Sequence, residues 1–206
     1  AAMITRKVAP ALAAGCTVIV KPAGQTPLTA LLLAKYADEA GVPKGVLQVI
    51  TGKSSVIGES LMKHKDVKKL TFTGSTEIGK KLMEQASHTV KKLSLELGGH
   101  APFIIFEDAD LEKAAKGLVQ SKFRNAGQTC ICANRIYVQE SVAEEFTSLF
   151  VKEVSKLKVG NGMERGVDLG PLIDEDALEK VKEHLSDAKE KGASVAFGGE
   201  VKDRKS

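Results

Sequence analysis

Apolar positions along this chain recur with two different periods, and the periods alternate. Residues 3–14 carry apolar side chains at helical spacing and lead into Cys16-Thr-Val-Ile-Val20, the pattern of a short buried strand. Pro22 and Pro27 frame a turn. Leu28 to Ala40 is again helical and stops at Gly41-Val-Pro43; Val46 to Ile50 is the next strand, closed by the Thr51-Gly52 turn. Ser55 to Lys63 suits a helix and Val67 to Thr73 a strand, and Gly74-Ser-Thr-Glu-Ile-Gly79 opens a helix that runs to Ala86. Lys91 to Leu97 returns to a strand. This β-α-β-α alternation predicts an α/β fold, a parallel sheet covered by helices on both faces.

The rhythm repeats after Gly98-Gly99, which is read as a domain boundary separating residues 1–97 from 98–206. Ala101 to Phe106 is a strand. Asp110 or Asp108 caps a helix that runs through Leu118 to Phe123. Arg135 to Val138 is a strand, Val142 to Leu157 a long amphipathic helix, and Asp174 to Lys191 another, stopped by Gly192. A last strand is expected at Ser194-Val-Ala-Phe197. No low-complexity segment or solenoid repeat interrupts the pattern.

Composition narrows the function classes. At 206 residues the chain can bury a sizeable core in one or two domains, and 43% hydrophobic with 27% charged residues is ordinary for a soluble protein. The net charge of +4 is mild, and the lysines interleave with Glu and Asp along helical segments, so they read as solvated faces rather than a nucleic-acid patch. Aromatics are 4% with no Trp, which leaves little to stack on bases. Three cysteines make no secreted scaffold, no histidine cluster has metal-ligand spacing, and no apolar run is long enough to span a bilayer. A reducing cytoplasm is the expectation, with no metal, nucleic-acid or membrane partner. The chain opens without an initiator Met inside a helical pattern and closes in the polar run Glu200 to Ser206. It is therefore expected to be a piece of a longer enzyme.

The chemistry concentrates in Lys122-Phe-Arg-Asn-Ala-Gly-Gln-Thr-Cys130-Ile-Cys132. Cys130 stands behind a small Gly-Gln-Thr turn, where a thiol can be held at a bend. Upstream, Leu95-Glu96-Leu-Gly-Gly99 offers a carboxylate flanked by leucines, odd in a strand unless it lines a site. A nucleophile and a base are what covalent catalysis at a carbonyl requires. Lys21 ends a strand at the edge where open parallel sheets bind ligands. Gly74 to Gly79 follows a strand and opens a helix whose amides suit a pyrophosphate, although it is not the Gly-X-Gly-X-X-Gly fingerprint. Cys132 has two readings, a small packing residue or a resolving thiol that traps Cys130 as a disulfide. Arg124 also has two, a clamp for a carboxylate or a helix-end residue meeting backbone carbonyls.

These motifs, in this order along nearly the whole chain, resemble the aldehyde dehydrogenase superfamily, and the residues around Cys130 are most similar to its succinate-semialdehyde branch. The resemblance implies a parallel Rossmann-like cofactor sheet followed by part of an α/β catalytic domain. It makes Cys130 the nucleophile and Glu96 the general base for the deacylating water. Lys21 would contact the adenosine ribose, Ser75 of the Gly74-Ser75 turn a phosphate, and Ile78 would lie under the adenine. Gly24 stands where many NAD-using relatives carry a Glu on the ribose hydroxyls. That leaves room for a 2′-phosphate, so NADP is expected, with NAD close behind. Arg124 would hold the far carboxylate of a four-carbon acid semialdehyde, and Cys132 occupies a place described in some members as a redox partner. The family's second oxyanion donor, an Asn in Pro-Trp-Asn-Phe-Pro, and its Glu-X-Phe-Gly-Pro segment lie outside this stretch, as do the strand and tail used in its homo-oligomers. The expected activity is NAD(P)-dependent oxidation of succinate semialdehyde. The alternatives are another acid semialdehyde such as glutarate semialdehyde, a catalytically inactive fragment, or a thiol redox sensor built on Cys130 and Cys132.

Overall fold

Val18-Ile-Val20 is short and fully β-branched, and it forms strand β1 (Val18–Val20) rather than extending helix α1 (Ala2–Ala13). It pairs in parallel with β2 (Leu47–Val49), and helix α2 (Leu28–Glu39) makes the crossover between them. Helix α3 (Ser54–Lys63) follows. Strand β3 (Lys69–Thr73) then pairs in parallel with β4 (Lys92–Glu96) across helix α4 (Thr76–Ser87), in a register that sets Thr73 opposite Glu96. Leu70 and Phe72 alternate inward on β3 and pack, with Leu93, against buried Met62, Leu82 and Ala86. Buried Lys91 spends its ammonium on two carbonyls, His64 and Val67, each at 2.7 Å.

One point departs from the sequence pattern. Among the described residues the strands hydrogen-bond as separate parallel pairs, β1–β2 and β3–β4, not as one continuous sheet. Strands β1 and β2 have only three residues each and so offer few backbone groups to a further neighbour.

The structure is a computed structural model and describes residues 1–201, so the end of the terminal polar run lies outside the described residues. The chain divides into two units, Ala1–Leu97 and Gly98 onward. In the second, β5 (Ala101–Ile105) pairs in parallel with β6 (Ala133–Val138), and α5 (Leu111–Lys122) crosses over between them. Helix α6 (Ala143–Val154) lies on α5. Ile105, Ala115, Leu118, Ala133 and Phe146 form the core, and Phe146 stacks on Phe150 with ring centres 6.1 Å apart. The cap of α5 is Asp110 and not Asp108: its carboxylate accepts from the Lys113 N–H at 3.1 Å. Helix α6 is shorter than its apolar period suggested: it ends at Val154, where the Lys156 and Leu157 N–H groups turn back to the Glu153 and Val154 carbonyls at 3.3 and 3.0 Å, and Val142 belongs to a separate 3-10 turn, Glu140–Val142. Asp174 caps helix α7 (Glu175–Glu190) in the same way as Asp110.

Two features of this unit were not anticipated. Strand β6 begins at Ala133, and the ladder shifts register there: Ala101 faces Ala133 but Pro102 faces Arg135. Asn134 is thus an extra, unpaired residue, opposite a proline that has no N–H to offer. The strand expected at 194–197 is absent. Val195 and Phe197 are exposed, and left-handed glycines at 192, 198 and 199 bracket a stretch with no parallel neighbour among the described residues. Among the described residues no helix is long and apolar enough to cross a membrane, and no group of His, Cys, Asp and Glu could hold a metal ion.

Candidate active site

In the first unit the candidate residues gather at the C-terminal ends of the parallel strands. Lys21 directly follows β1, is half-buried, and donates to the hydroxyl of Ser54, the first residue of α3. Ser54 carried no mark in the sequence, since a serine opening a helix is commonplace. Gly24 is exposed, and a Cβ added there would meet nothing within 4 Å.

Gly74 has the opposite character. A Cβ there would lie 2.4 Å from the Phe72 ring, so that inward-packed phenylalanine requires glycine at the mouth of the turn. Ser75 is the N-cap of α4 and accepts from the Ile78 N–H at 3.3 Å. Its oxygen is thereby oriented while its own proton stays available to an acceptor. The first N–H groups of α4 point the same way, with the positive end of the helix dipole behind them. Ile78 is 41% exposed on this first turn.

Glu96 ends β4 one pairing position from the Gly74-Ser75 turn, and its carbonyl accepts from the Gly74 N–H at 3.0 Å. Its side chain is exposed, so the residues of the first unit do not form the apolar enclosure that the flanking leucines suggested: Leu95 and Leu97 alternate to the other face of the strand. Lys7, which the sequence did not single out, reaches this edge from α1 and donates to Thr73 at 2.7 Å and Thr71 at 3.2 Å. Burial holds its ammonium below the ordinary lysine range, the Glu96 carboxylate draws it back up, and Arg6 pushes it down.

The second unit carries the loop of the candidate nucleophile Cys130. Helix α5 ends at Lys122, and Phe123 packs on Phe150 of α6 with ring centres 6.5 Å apart, which fixes where the loop leaves the core. Asn125, Ala126 and Gly127 then take successive left-handed conformations, with φ of 54°, 53° and 77°. A left-handed alanine costs about 1–2 kcal/mol, so neighbouring bonds must hold it. They come from side chains of the turn itself. The Asn125 amide donates to the Gln128 carbonyl at 3.3 Å, the Gln128 amide to the Asn125 carbonyl at 3.2 Å, and the Thr129 hydroxyl to the Arg124 carbonyl at 3.2 Å. The Ile173 N–H donates to the Gln128 side-chain oxygen at 3.0 Å.

Cys130 is exposed at the crest of this loop, and its backbone N–H has no acceptor among the described residues. The Arg124 guanidinium is also exposed and makes no hydrogen bond or ion pair among the described residues, so it does not meet the carbonyls at the end of α5. Cys132 is buried at 1% exposure, and its thiol donates to the Gly127 carbonyl at 3.2 Å. This is the packed, reduced form. An oxidised bridge to Cys130 would have to draw Sγ away from that carbonyl. All three cysteines are free. Glu96 belongs to the first unit and Cys130 to the second.

Three comparisons with known proteins agree. The profile of the aldehyde dehydrogenase family matches residues 1–206. The chain is 59% identical over 99% of its length to the succinate-semialdehyde dehydrogenase [NADP(+)] GabD of Escherichia coli, of which it covers 42%. It is 57% identical over 98% of its length to a glutarate-semialdehyde dehydrogenase of Pseudomonas putida, again covering 42% of that protein. The crystal structure of an NADP-dependent enzyme from E. coli superposes with a TM-score of 0.97 at 58% identity, over 99% of this chain and 42% of that one. The chain thus spans about two fifths of the length of the relatives it matches.

Proposed function

The chain belongs to the aldehyde dehydrogenase family, and on that premise we propose that the protein it represents oxidises a short aldehyde bearing a distal carboxylate, succinate semialdehyde first, with NADP⁺ and less readily NAD⁺. The observation that carries the substrate class is Arg124. Its charge has no partner among the described residues and lies on the same loop as the exposed Cys130 thiol, which supports a role in pairing with the far carboxylate of an acid semialdehyde. The relatives' names support the class and bracket the chain length, since one acts on the four-carbon acid semialdehyde and another on the five-carbon one. One methylene changes pocket energetics by only about 1–3 kcal/mol, so the longer homologue is the nearest competing substrate.

The residues present fit a dinucleotide. Lys21, held by Ser54, offers a cation beside the unobstructed Gly24, which suits an adenosine 2′-phosphate, and the Ser75-capped start of α4 suits the pyrophosphate. When bound, the nicotinamide supplies the acceptor for the hydride that leaves the substrate carbon. The chain's own residues do the rest. The Cys130 thiolate attacks the aldehyde carbon, and its backbone N–H is free to donate to the developing oxyanion. Loss of hydride leaves a Cys130 thioester. Glu96 takes a proton from water, which adds to the thioester carbon and releases carboxylate and thiolate. Residues 1–97 are read as the cofactor-binding part and 98–206 as the catalytic part.

Steady-state kinetics of Arg124→Ala in the whole protein test the substrate assignment. Removing a charge-assisted pair worth about 1.5–3 kcal/mol should lower kcat/KM for succinate semialdehyde roughly 10- to 100-fold, while an uncharged aldehyde of similar length changes little. Equal losses on both substrates would return Arg124 to a structural role.

A further inference from the structure

The nucleophile loop is closed at its base by a residue that the proposed chemistry does not use. Asn134 is the unpaired bulge residue of β6, and a bulge re-aims a side chain that regular pairing would send elsewhere. Its Oδ1 accepts from the ammonium of Lys122, the last residue of α5, and also faces the Cys132 thiol at 3.7 Å. Its Nδ2 donates to the Gly99 carbonyl at 3.4 Å and lies 3.1 Å from His100 Nδ1. Lysine offers only donors and a carbonyl only accepts, so the orientation of the amide is decided by its partners.

The same side chain thus ties together both ends of the loop, residues 122 and 134, and the Gly99-His100 segment that touches the nucleophile. Gly99 is in close contact with Cys130: an added Cβ would lie 2.9 Å from the Cys130 carbonyl oxygen. On the inner side, the Cys132 thiol holds Gly127 in the left-handed run and leans on Asn134. We propose that Asn134, oriented by Lys122, is a positioning residue for the nucleophile: it locks the strained Arg124–Gly127 turn and the Gly99 contact so that the Cys130 thiol and N–H are presented together. This rests on the reading of Cys130 as nucleophile. Asn134 touches neither the thiol of Cys130 nor substrate, and it acts through the loop.

The test uses the whole protein and two independent readouts in Asn134→Ala, Asn134→Asp and Lys122→Met, with Lys122→Arg as the conservative control. The first readout is iodoacetamide labelling under reductant, followed by peptide mass spectrometry. In the unaltered protein exposed Cys130 is labelled and buried Cys132 is spared. In Asn134→Ala the Cys132 rate should rise at least about tenfold, with Cys130 labelling little changed, because local opening governs a buried thiol. The second is the single-turnover acylation rate, which should fall about 10- to 100-fold with little change in KM, as misplacement of a reacting group does.

Asn134→Asp should match Asn134→Ala, since a carboxylate still accepts from Lys122 but cannot donate to Gly99. Lys122→Arg should restore both readouts that Lys122→Met loses. The proposal is overturned if Cys132 stays protected in Asn134→Ala, if Asn134→Asp behaves as the unaltered protein, or if acylation falls only in proportion to the unfolded fraction. Labelling needs no aldehyde. An unaltered protein that oxidises none would therefore defeat the proposed function and leave the loop test intact.

Discussion

At the scale of single residues, the candidate site is defined as much by what is absent from a side chain as by what is present. Gly24 and Gly74 lie on the same unit, yet they differ in kind. Gly74 is enforced by the Phe72 ring, whereas the space beside Gly24 is open and its backbone is unstrained. Gly24→Glu should therefore fold, and it should place a carboxylate near Lys21, where it opposes a 2′-phosphate. The ratio of kcat/KM for NADP⁺ to that for NAD⁺ is expected to fall by about tenfold or more, the equivalent of 1.4 kcal/mol of charge repulsion. An unchanged ratio would detach Gly24 from cofactor choice. Cys132 is a second case. Its spacing from Cys130 left packing and redox pairing level, and its burial with the thiol on the Gly127 carbonyl describes the packed state.

At the scale of elements, the helices and strands that were legible are those whose signals are local. Asp110 precedes an apolar period and caps α5; Gly74-Ser75 precedes another and caps α4. The pairing of Asp110 with Lys113 gives a check. The Lys113 ammonium, then its backbone N–H, hold the Asp110 carboxyl below the ordinary carboxylate range, and the same pair raises Lys113. A depressed folded-state value means that the contribution is present above the unfolded value of about 3.9 and is lost as pH falls through the folded one. Urea unfolding should thus show Asp110→Asn, which keeps the capping oxygen, less stable than the parent at neutral pH and converging with it under acid. Asp174→Ala, which removes the cap of α7 outright, should cost about 1 kcal/mol. A difference between Asp110→Asn and the parent that persists unchanged into acid would remove the charge from the account.

What stayed hidden depends on partners far along the chain. The bulge at Asn134 is set by which strand lies beside it and by Pro102 in that strand. Ala126 bears no mark of its left-handed backbone, because alanine does not announce a positive φ as glycine does. Ser194 to Phe197 carried a strand's pattern but has no neighbour to pair with among the described residues. Each depends on tertiary context that a local pattern does not carry.

At the scale of the molecule, the two units divide the proposed chemistry: the cofactor contacts and Glu96 fall in the first, and the nucleophile loop with Arg124 and Asn134 in the second. The family assignment stands on the whole length of the chain, and the parallel α/β architecture on its described residues. The central claim is narrower, that Cys130 is acylated by a carboxylated aldehyde at the expense of a nicotinamide dinucleotide. Single-turnover absorbance of reduced cofactor, under reductant, with succinate semialdehyde and each dinucleotide in turn, addresses it most directly. The account predicts a burst stoichiometric with protein, larger in rate with NADP⁺ and abolished in Cys130→Ala. A burst that survives in Cys130→Ala, or none from folded whole protein with either cofactor, would contradict it.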